Sequence, residues 1–220
     1  MSSSDFFTIA IIGGTGRMGK SLAVLFARAG HQVLVCSRDP QKAVSAVEEI
    51  KKKFGQLDIT PHNEEDSSRL AEVVVISVPF AAHTETIQRL KTLISNKLII
   101  DVTVPLNAKD PTKLALPSQG SAGLETISIL GPDAMVVDAF QHISYKLITR
   151  QTSEEREILV CGSPTHARLK VMQIIHTTGF KPIDAGGLEN SPVIEGLTPI
   201  LIHMNKVYQK DNLSIKIQGL

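Results

Sequence analysis

The chain has 220 residues and a formal net charge of +1, and 42% of its residues are hydrophobic while 20% are charged. This is the composition of an ordinary globular protein, and the near-neutral balance gives no electrostatic reason to expect nucleic acid or an anionic membrane as a partner. No apolar run approaches the roughly 18 residues that a membrane-spanning helix needs. The first residues, MSSSDFF, lack the basic and apolar regions of a signal peptide.

The two cysteines, Cys36 and Cys161, lie far apart in the chain, and neither belongs to a C-x-x-C pair. This spacing argues against a zinc site and against dithiol chemistry, so no metal is expected. Unpaired cysteines are typical of proteins in a reducing compartment. We therefore expect a cytoplasmic protein.

The first half of the chain alternates between short apolar runs and amphipathic segments. The runs are rich in Ile and Val, as in strands buried on both faces, and the segments between them repeat apolar residues at helical spacing. Strands are predicted at residues 7–13, 32–37, 57–60, 73–79 and 98–105, and helices at 17–29, 40–54 and 81–95. This alternation predicts a Rossmann-type doubly wound sheet of the α/β class, with mostly parallel strands joined by right-handed crossovers.

The pattern changes after residue 105. Residues 107–121 contain two prolines and read as a long loop, a length that is usually functional or mobile. Further strands are predicted at 135–139, 157–161, 180–185 and 214–218, and helices at 165–177 and 191–208. We divide the chain into a dinucleotide-binding domain, residues 1–130, and a smaller α+β domain, residues 131–220.

The last predicted helix, residues 191–208, is apolar around much of its circumference. Such a helix is buried in a core or in an interface, and too apolar for a free surface. Pro199 is expected to kink it, because a proline cannot donate the backbone hydrogen bond of a helix interior.

A glycine motif, IIGGTGRMGK, joins the first strand to the first helix and contains G-x-G-x-x-G at Gly14, Gly16 and Gly19. Alone this pattern is weak, but here it follows a strand and opens a helix, which is the context that a dinucleotide site requires. Gly14 would permit the tight turn, Gly16 would let the backbone approach a pyrophosphate, and Gly19 would let the helix pack closely on the sheet. The neighbouring residues counted with them as cofactor-binding are Thr15, Arg17 and Met18.

The second strand ends in CSRD, where an acidic residue would be expected if the site held the ribose of NAD. Arg38 can clamp the 2′-phosphate of NADP with its planar guanidinium, Ser37 can donate a hydroxyl hydrogen bond, and Lys42 can add charge. Asp39 leaves an alternative open, since it could serve a ribose if the chain were shifted by a residue or two. The residues favour NADP, with NAD as the alternative.

Two further strand ends belong to the predicted ligand-binding edge of the sheet. Val78, Pro79 and Phe80 end the fourth strand, and Val104 and Pro105 end the fifth. Ligands of open α/β sheets bind at the carboxyl ends of the strands, so these residues are candidates for contact with the cofactors. Motifs of nucleophilic or zinc hydrolases, such as G-x-S-x-G and H-E-x-x-H, are absent from the sequence.

The segment GGTGRMGKSLAVLFARAGHQVLVCSRD resembles the N-terminus of the coenzyme F420-dependent NADP oxidoreductases. Later segments are also similar to that family: VVVISVPF, LIIDVTVPL, GSAGLETI, VVDAFQHIS, VCGSPTHARLKVMQII and GFKPIDAGGLENSPVIEGLTPILIHM. In the last of these segments the likeness is especially close at Asp184, Ala185 and Gly186. The resemblance spans nearly the whole chain. The ferric-reductase domains of the mammalian metalloreductases belong to the same wider group.

This resemblance implies an oxidoreductase that moves hydride between NADP(H) and a 5-deazaflavin, reduced coenzyme F420, and that forms a homodimer. Such a reaction needs orientation and a dry pocket more than acid–base side chains, because the cofactors carry the reactivity. An NADPH-dependent reductase of a flavin or a metal chelate remains an alternative. A non-catalytic NADP(H) sensor that signals through its dimer is another.

Among the histidines, His142 is the candidate for a catalytic role, because it leaves a strand close to the expected pocket of the second cofactor. It could hydrogen-bond a flavin carbonyl or move a proton to a ring nitrogen. Simple packing is the alternative for this residue.

Overall fold

The computed structural model describes residues 6–150 and 156–220, and its strands form one eight-stranded sheet. The strands are β1 Thr8–Ile12, β2 Gln32–Cys36, β3 Ile59–His62, β4 Val73–Ile76, β5 Leu98–Asp101, β6 Met135–Ala139, β7 Glu157–Ser163 and β8 Lys181–Asp184. Their spatial order is β3-β2-β1-β4-β5-β6-β7-β8, and only the β6–β7 pair is antiparallel. The first six strands follow the order of a dinucleotide-binding Rossmann sheet, so the predicted fold class is confirmed.

Helices cover both faces of this sheet. They are α1 Arg17–Arg28, α2 Pro40–Phe54, α3 Glu64–Leu70, α4 His83–Ile94, α5 Ala122–Leu130, α6 Tyr145–Ile148, α7 Thr165–Thr177 and α8 Ser191–Val207, with 3₁₀ turns at Phe80–Ala82 and Leu188–Asn190. Pro40 starts α2 at a position where its missing N–H is harmless, and Asn63 and Ser121 cap the helices that follow them.

The core lies in two layers, one on each side of the sheet. Along β1, Ile9 and Ile11 belong to the layer beneath α1, α2 and α7, while Ala10 and Ile12 belong to the layer beneath α4 and α5. All four side chains are fully buried. Successive residues of a strand point to opposite faces, and burying each large one contributes about 1.5–3 kcal/mol. This explains why the strand sequences read as continuous apolar runs.

Strands from both sides of residue 130 pair within this sheet, since β6 lies beside β5 in parallel register. The predicted long loop, residues 107–121, is confirmed. Within that segment, all of which is described, the structure has neither helix nor strand, apart from an isolated bridge between Leu106 and Leu114. Among the described residues no helix is long and apolar enough to cross a lipid bilayer.

The predicted strand at residues 214–218 is wrong. These residues form neither strand nor helix, although Ile215 and Ile217 alternate with exposed neighbours as in a strand. The backbone N–H of Ile217 donates to the Glu157 carboxylate instead of a neighbouring strand. An alternation of apolar and polar residues predicts an extended segment with one face on an apolar surface. Such a segment becomes part of a sheet only where a neighbouring strand pairs with its backbone.

Helix α8 runs through Pro199 without interruption and has two different faces. Ile194, Pro199 and Leu201 are buried against the rest of the chain. On the other side, Val193 is 69% exposed and Ile200 is 56% exposed. The apolar circumference seen in the sequence is therefore half core and half surface in the single chain.

Candidate functional site

The glycine turn between β1 and α1 has the close backbone packing that the motif predicts. The N–H of Gly14 donates to the carbonyl of Ile11 at 3.0 Å, and Gly16 is the N-cap residue of α1. A Cβ at Gly19 would lie 2.6 Å from the carbonyl oxygen of Gly13, so only glycine fits there. Gly13 itself has φ of 78°, and a side chain at that position would also meet backbone atoms.

This turn leaves the N-terminus of α1 without a side-chain cap. The first N–H groups of a helix have no partner within the helix and carry a partial positive charge, which suits a phosphate. Gly13 is a feature that sequence reasoning missed, because it stands one residue before the motif. Its positive φ and the close approach of the Ser77 backbone both require glycine there, and the double glycine in the sequence was the available signal.

At the end of β2 the predicted phosphate-binding residues lie side by side. Arg38 and Lys42 are exposed, and neither forms an ion pair with any residue that the structure describes. The Ser37 hydroxyl accepts the N–H of Asp39 at 3.1 Å, and the Asp39 carboxylate caps α2 by accepting the N–H of Gln41 at 3.0 Å. The carboxylate that could have served a ribose is thus held by the helix, which leaves two cations at this strand end.

A cavity of about 530 Å³ opens at the carboxyl edge of the sheet, between the glycine turn, the ends of β4, β5 and β6, and α8. We call it the active-site cavity. The predicted site residues that line it are Gly16, Arg17, Met18, Val78, Pro79, Phe80, Val104 and His142. The predicted site residues outside its lining are Gly14, Thr15, Gly19, Ser37, Arg38, Lys42 and Pro105.

Pro105 has a structural role that explains its position. It is buried, and its carbonyl accepts the N–H of Ala115 at 2.7 Å, which fastens the long loop behind the cavity. The residues of the glycine turn and of the β2 end lie along the path from the cavity to the adenosine side of a Rossmann sheet. The structure therefore brings the predicted residues together as two groups, one at the cavity and one beside β2.

His142 lines the cavity but is itself buried, with 1% exposure. Its Nε2 accepts the backbone N–H of Leu159 at 2.9 Å, so the proton of the neutral ring sits on Nδ1. Burial lowers the pKa of His142 to about 4, with a hydrogen bond to its own backbone and the charge of Glu157 opposing that change. At neutral pH this ring can donate a hydrogen bond, but it does not carry an extra proton.

The segment before His142 is fixed by hydrogen bonds that sequence reasoning did not find. The Gln141 side-chain amide donates to the backbone carbonyl of Asp101 at 2.8 Å. The backbone carbonyl of Gln141 accepts a hydrogen bond from the Thr198 hydroxyl at 2.7 Å. Phe140 has φ of 74°, which is a strained conformation for a residue with a side chain. Strained backbone of this kind persists where surrounding contacts determine it, and it is common at functional sites.

Behind the end of β5 lies a buried ion cluster. His83 is fully buried between two carboxylates, with Nε2 2.8 Å from Asp101 Oδ2 and Nδ1 2.8 Å from Glu125 Oε1. The Thr126 hydroxyl donates to the same oxygen of Asp101 at 2.7 Å. Burial alone would lower the pKa of His83, but the two carboxylates outweigh it and raise the pKa to about 9. The cluster therefore holds a protonated imidazole at neutral pH.

A second buried pair consists of Asp138 on β6 and Glu195 on α8. The Glu195 carboxylate accepts the N–H groups of Ala122 and Gly123 at 3.0 and 3.1 Å, at the start of α5. The Ser191 hydroxyl lies within hydrogen-bond distance of both carboxyl groups. Burial and mutual repulsion raise the pKa of Asp138 well above its usual range, and burial raises the pKa of Glu195 to about 7.

The glycine turn, the end of β2 and the active-site cavity together suit one type of reaction. The turn and the β2 end suit a phosphorylated dinucleotide, and the cavity beside them is walled mainly by apolar side chains. A cavity of this kind orients two ring systems and excludes water, which is what hydride transfer needs from a protein. The fold and the site together define a nicotinamide-dependent oxidoreductase of the Rossmann class.

Comparison with known proteins gives the family within this class. The family model for coenzyme F420-dependent NADP oxidoreductases matches residues 8–105. The F420-dependent NADP reductase of Methanocaldococcus jannaschii is 33% identical over 221 aligned positions, which cover 96% of this chain and 98% of that protein. The chain belongs to the F420-dependent NADP reductase family, and the resemblance seen in the sequence is confirmed.

Two further proteins are similar to this chain, one in fold and one in sequence. A candidate F420-dependent NADP reductase from Arthrobacter sp. FB24 has the same fold, with a TM-score of 0.84 at 22% identity over 96% of this chain and 99% of that chain. The human metalloreductase STEAP2 is 25% identical over 86% of this chain, which corresponds to 35% of that protein.

Proposed function

We propose that this protein transfers hydride between NADPH and the deazaflavin ring of coenzyme F420. The observation that carries the proposal is the active-site cavity, which extends from the N-terminus of α1 at Gly16 to the His142 segment and α8. Its volume of about 530 Å³ provides for a nicotinamide at the end of β4 and a second flat ring beside it. Family membership supports the choice of a deazaflavin for that second ring.

The residues of this chain would act by binding and orientation. The N-terminus of α1 would hold the pyrophosphate, while Val78, Pro79 and Phe80 would form an apolar surface for the rings at the end of β4. When both cofactors are bound, they supply the hydride chemistry themselves. The ring of His142 would form part of the pocket wall beside the acceptor, and the hydrogen bond from Leu159 would keep its orientation and tautomer.

NADP(H) would be preferred over NAD(H) because of two cations beside β2 that form no ion pair with the described residues. A phosphate at this position would meet Arg38 and Lys42, with the Ser37 hydroxyl between the strand and the helix. Hydrogen bonds to charged groups contribute about 1.5–3 kcal/mol each, which is enough to select the phosphorylated cofactor.

The same proposal includes a homodimer that uses α8. The face of α8 that carries Val193, Ile200, Met204 and Val207 is exposed in the single chain, and each of these side chains is apolar. An apolar surface of this kind is characteristic of an interaction site. Residues 131–220 would then serve the second cofactor and the dimer, and residues 1–130 would serve the dinucleotide.

Rapid mixing of NADPH-loaded protein with oxidised F420 tests the proposed function. We expect the visible absorbance of F420 to be lost as NADPH is oxidised in equal amount. Transfer to FMN or riboflavin but not to F420 would favour the flavin-reductase alternative, and NADPH binding with transfer to no acceptor would favour the sensor. Turnover of a small aldehyde or ketone, with no transfer to any ring acceptor, would contradict the cofactor-to-cofactor reaction.

A further inference from the structure

A second cavity of about 440 Å³ lies on the outer side of α1, between α2 and α6. We call it the basic cavity, because its lining contains four cationic side chains, those of Arg17, Lys20, Lys53 and Lys146. Glu49 is the single carboxylate in that lining. An excess of one charge in a concave surface raises the local concentration of an oppositely charged ligand.

The basic cavity adjoins the active-site cavity, because Arg17 and Tyr145 line both. The Arg17 guanidinium lies 5.8 Å from the centre of the Tyr145 ring, at the boundary between the two cavities. A ligand bound in the active-site cavity can therefore extend past these two side chains into the basic cavity without leaving the protein surface.

The cations of this cavity are only partly neutralised. Lys20 pairs with Glu49 at 2.6 Å, and Lys146 pairs with Asp211. Arg17 and Lys53 form no ion pair within the described part of the chain, and Lys53 lies 5.1 Å from the centre of the Phe54 ring. Aromatic rings position these two cations, but each keeps its hydrogen-bond donors available for an anion.

The basic cavity lies away from the residues that serve the 2′-phosphate of NADP. Lys53 is in the last turn of α2 and Lys42 is in its first turn, so about 16 Å of helix separates them at 1.5 Å per residue. The pyrophosphate has its own partners at the N-terminus of α1. Lys53 at the end of α2 and Lys146 on α6 are therefore left for a different anion.

We propose that the basic cavity binds the anionic tail of the deazaflavin coenzyme while the ring occupies the active-site cavity. This inference rests on the proposed function. Coenzyme F420 carries a phosphodiester and glutamate carboxylates at the end of the ribityl chain of its ring. Arg17 can hold such a phosphate or carboxylate with two parallel hydrogen bonds, and Lys53 and Lys146 supply point charges further along.

The test compares F420 with the tail-less deazariboflavin that consists of its ring and ribityl chain. Binding to the NADPH-free protein is followed by quenching of deazaflavin fluorescence, so the readout does not depend on hydride transfer. Lys53→Ala should weaken F420 binding by about two- to fivefold at low ionic strength, as expected for one partly exposed charge. Glu49→Gln should strengthen F420 binding by a similar factor. Neither substitution should alter binding of the tail-less compound.

Lys52→Ala is the matched control, because Lys52 is exposed on the same helix and lines neither cavity. It should leave both affinities unchanged, and added salt should weaken F420 binding more than binding of the tail-less compound. Equal affinities for the two compounds, or effects of the same sign for Lys53→Ala and Glu49→Gln, would overturn the inference. A loss of NADPH affinity in Lys53→Ala would assign the cavity to the dinucleotide instead. Failure of the proposed function would appear differently, as bound deazaflavin that NADPH does not reduce.

Discussion

The buried pair of Asp138 and Glu195 predicts a measurable dependence of stability on pH. The backbone N–H groups at the start of α5 donate to both oxygens of Glu195 and favour its ionised form, so Asp138 is the carboxyl group that holds its proton more firmly. In the unfolded chain both carboxyl groups ionise with ordinary pKa values near 4. Folding near pH 6 therefore takes up a proton at Asp138, and this contribution destabilises the folded state as the pH rises.

Asp138→Asn tests this assignment, because an amide has the shape of a protonated carboxyl group and can still donate to Glu195. The comparison is made between about pH 5 and about pH 6.5, above the unfolded carboxyl values, because burial and the neighbouring carboxylates hold the pKa of Asp138 well above its usual range. Across these 1.5 units one proton corresponds to about 2 kcal/mol, at 1.36 kcal/mol per unit. The free energy of unfolding of Asp138→Asn should gain about 2 kcal/mol relative to wild type as the pH rises through this window.

The contributions of the other titrating groups to the free energy of unfolding are the same in Asp138→Asn and wild type, so they cancel in the difference. Burial lowers the pKa of His31 and His142, so their deprotonation stabilises the folded state as the pH rises, in both proteins alike. The raised pKa of His83 acts mainly above this window, where its contribution is lost as the pH rises toward about 9. The difference between the variant and wild type therefore isolates the proton of the Asp138 pair.

Urea denaturation followed by circular dichroism at several pH values gives the required free energies. Asp133→Asn, at an exposed position just before β6, is the control and should change with pH as wild type does. If the stability curves of Asp138→Asn and wild type stay parallel across the window, the pair does not hold a proton and the assignment is wrong.

Four further predictions concern the site and its surroundings. Arg38→Ala should weaken NADPH binding by about 1.5–3 kcal/mol and leave NADH binding nearly unchanged in calorimetric titration; equal losses would contradict a contact with the 2′-phosphate. Gly123→Ala should lower the free energy of unfolding by more than about 2 kcal/mol in urea titration, because the added Cβ would lie 2.4 Å from the Asp138 carboxylate; an unchanged midpoint would contradict this packing. His142→Ala should slow hydride transfer in stopped-flow experiments without changing NADPH affinity, and the wild-type rate should show no inflection near pH 6.5, because the pKa of His142 is about 4. Ile200→Asp should give a monomer in sedimentation experiments while NADPH affinity is retained, and a persisting dimer would exclude this face of α8.

Much of the dinucleotide half could be predicted from sequence, because its signals are local. The glycine turn, the cations at Arg38 and Lys42, and the apolar strand ends each lie within a few residues of a motif. The short helix α3 was missed because its seven residues carry no apolar repeat. Its available signal was Asn63 as N-cap, followed by three acidic residues in the first turn.

The buried polar clusters could not be predicted in the same way. His83 meets Asp101 and Glu125 from positions 18 and 42 residues distant in the chain, and Glu195 reaches Ala122 across 73 residues. A single histidine or carboxylate in a sequence gives no sign of which partner the fold brings to it. Such pairings depend on the order of the strands, and they follow only after the topology is known.

The order of the strands also determines which backbone groups the sheet leaves open at its margins. The outer strands of the sheet are β3 and β8, and each contains a proline, Pro61 in one and Pro182 in the other. Proline has no backbone N–H to offer a further strand, and edge strands that carry it resist the edge-to-edge association that leads to aggregation. Both open margins of the sheet thus carry a residue that disfavours the addition of a further strand, and with it the growth of the sheet into fibres.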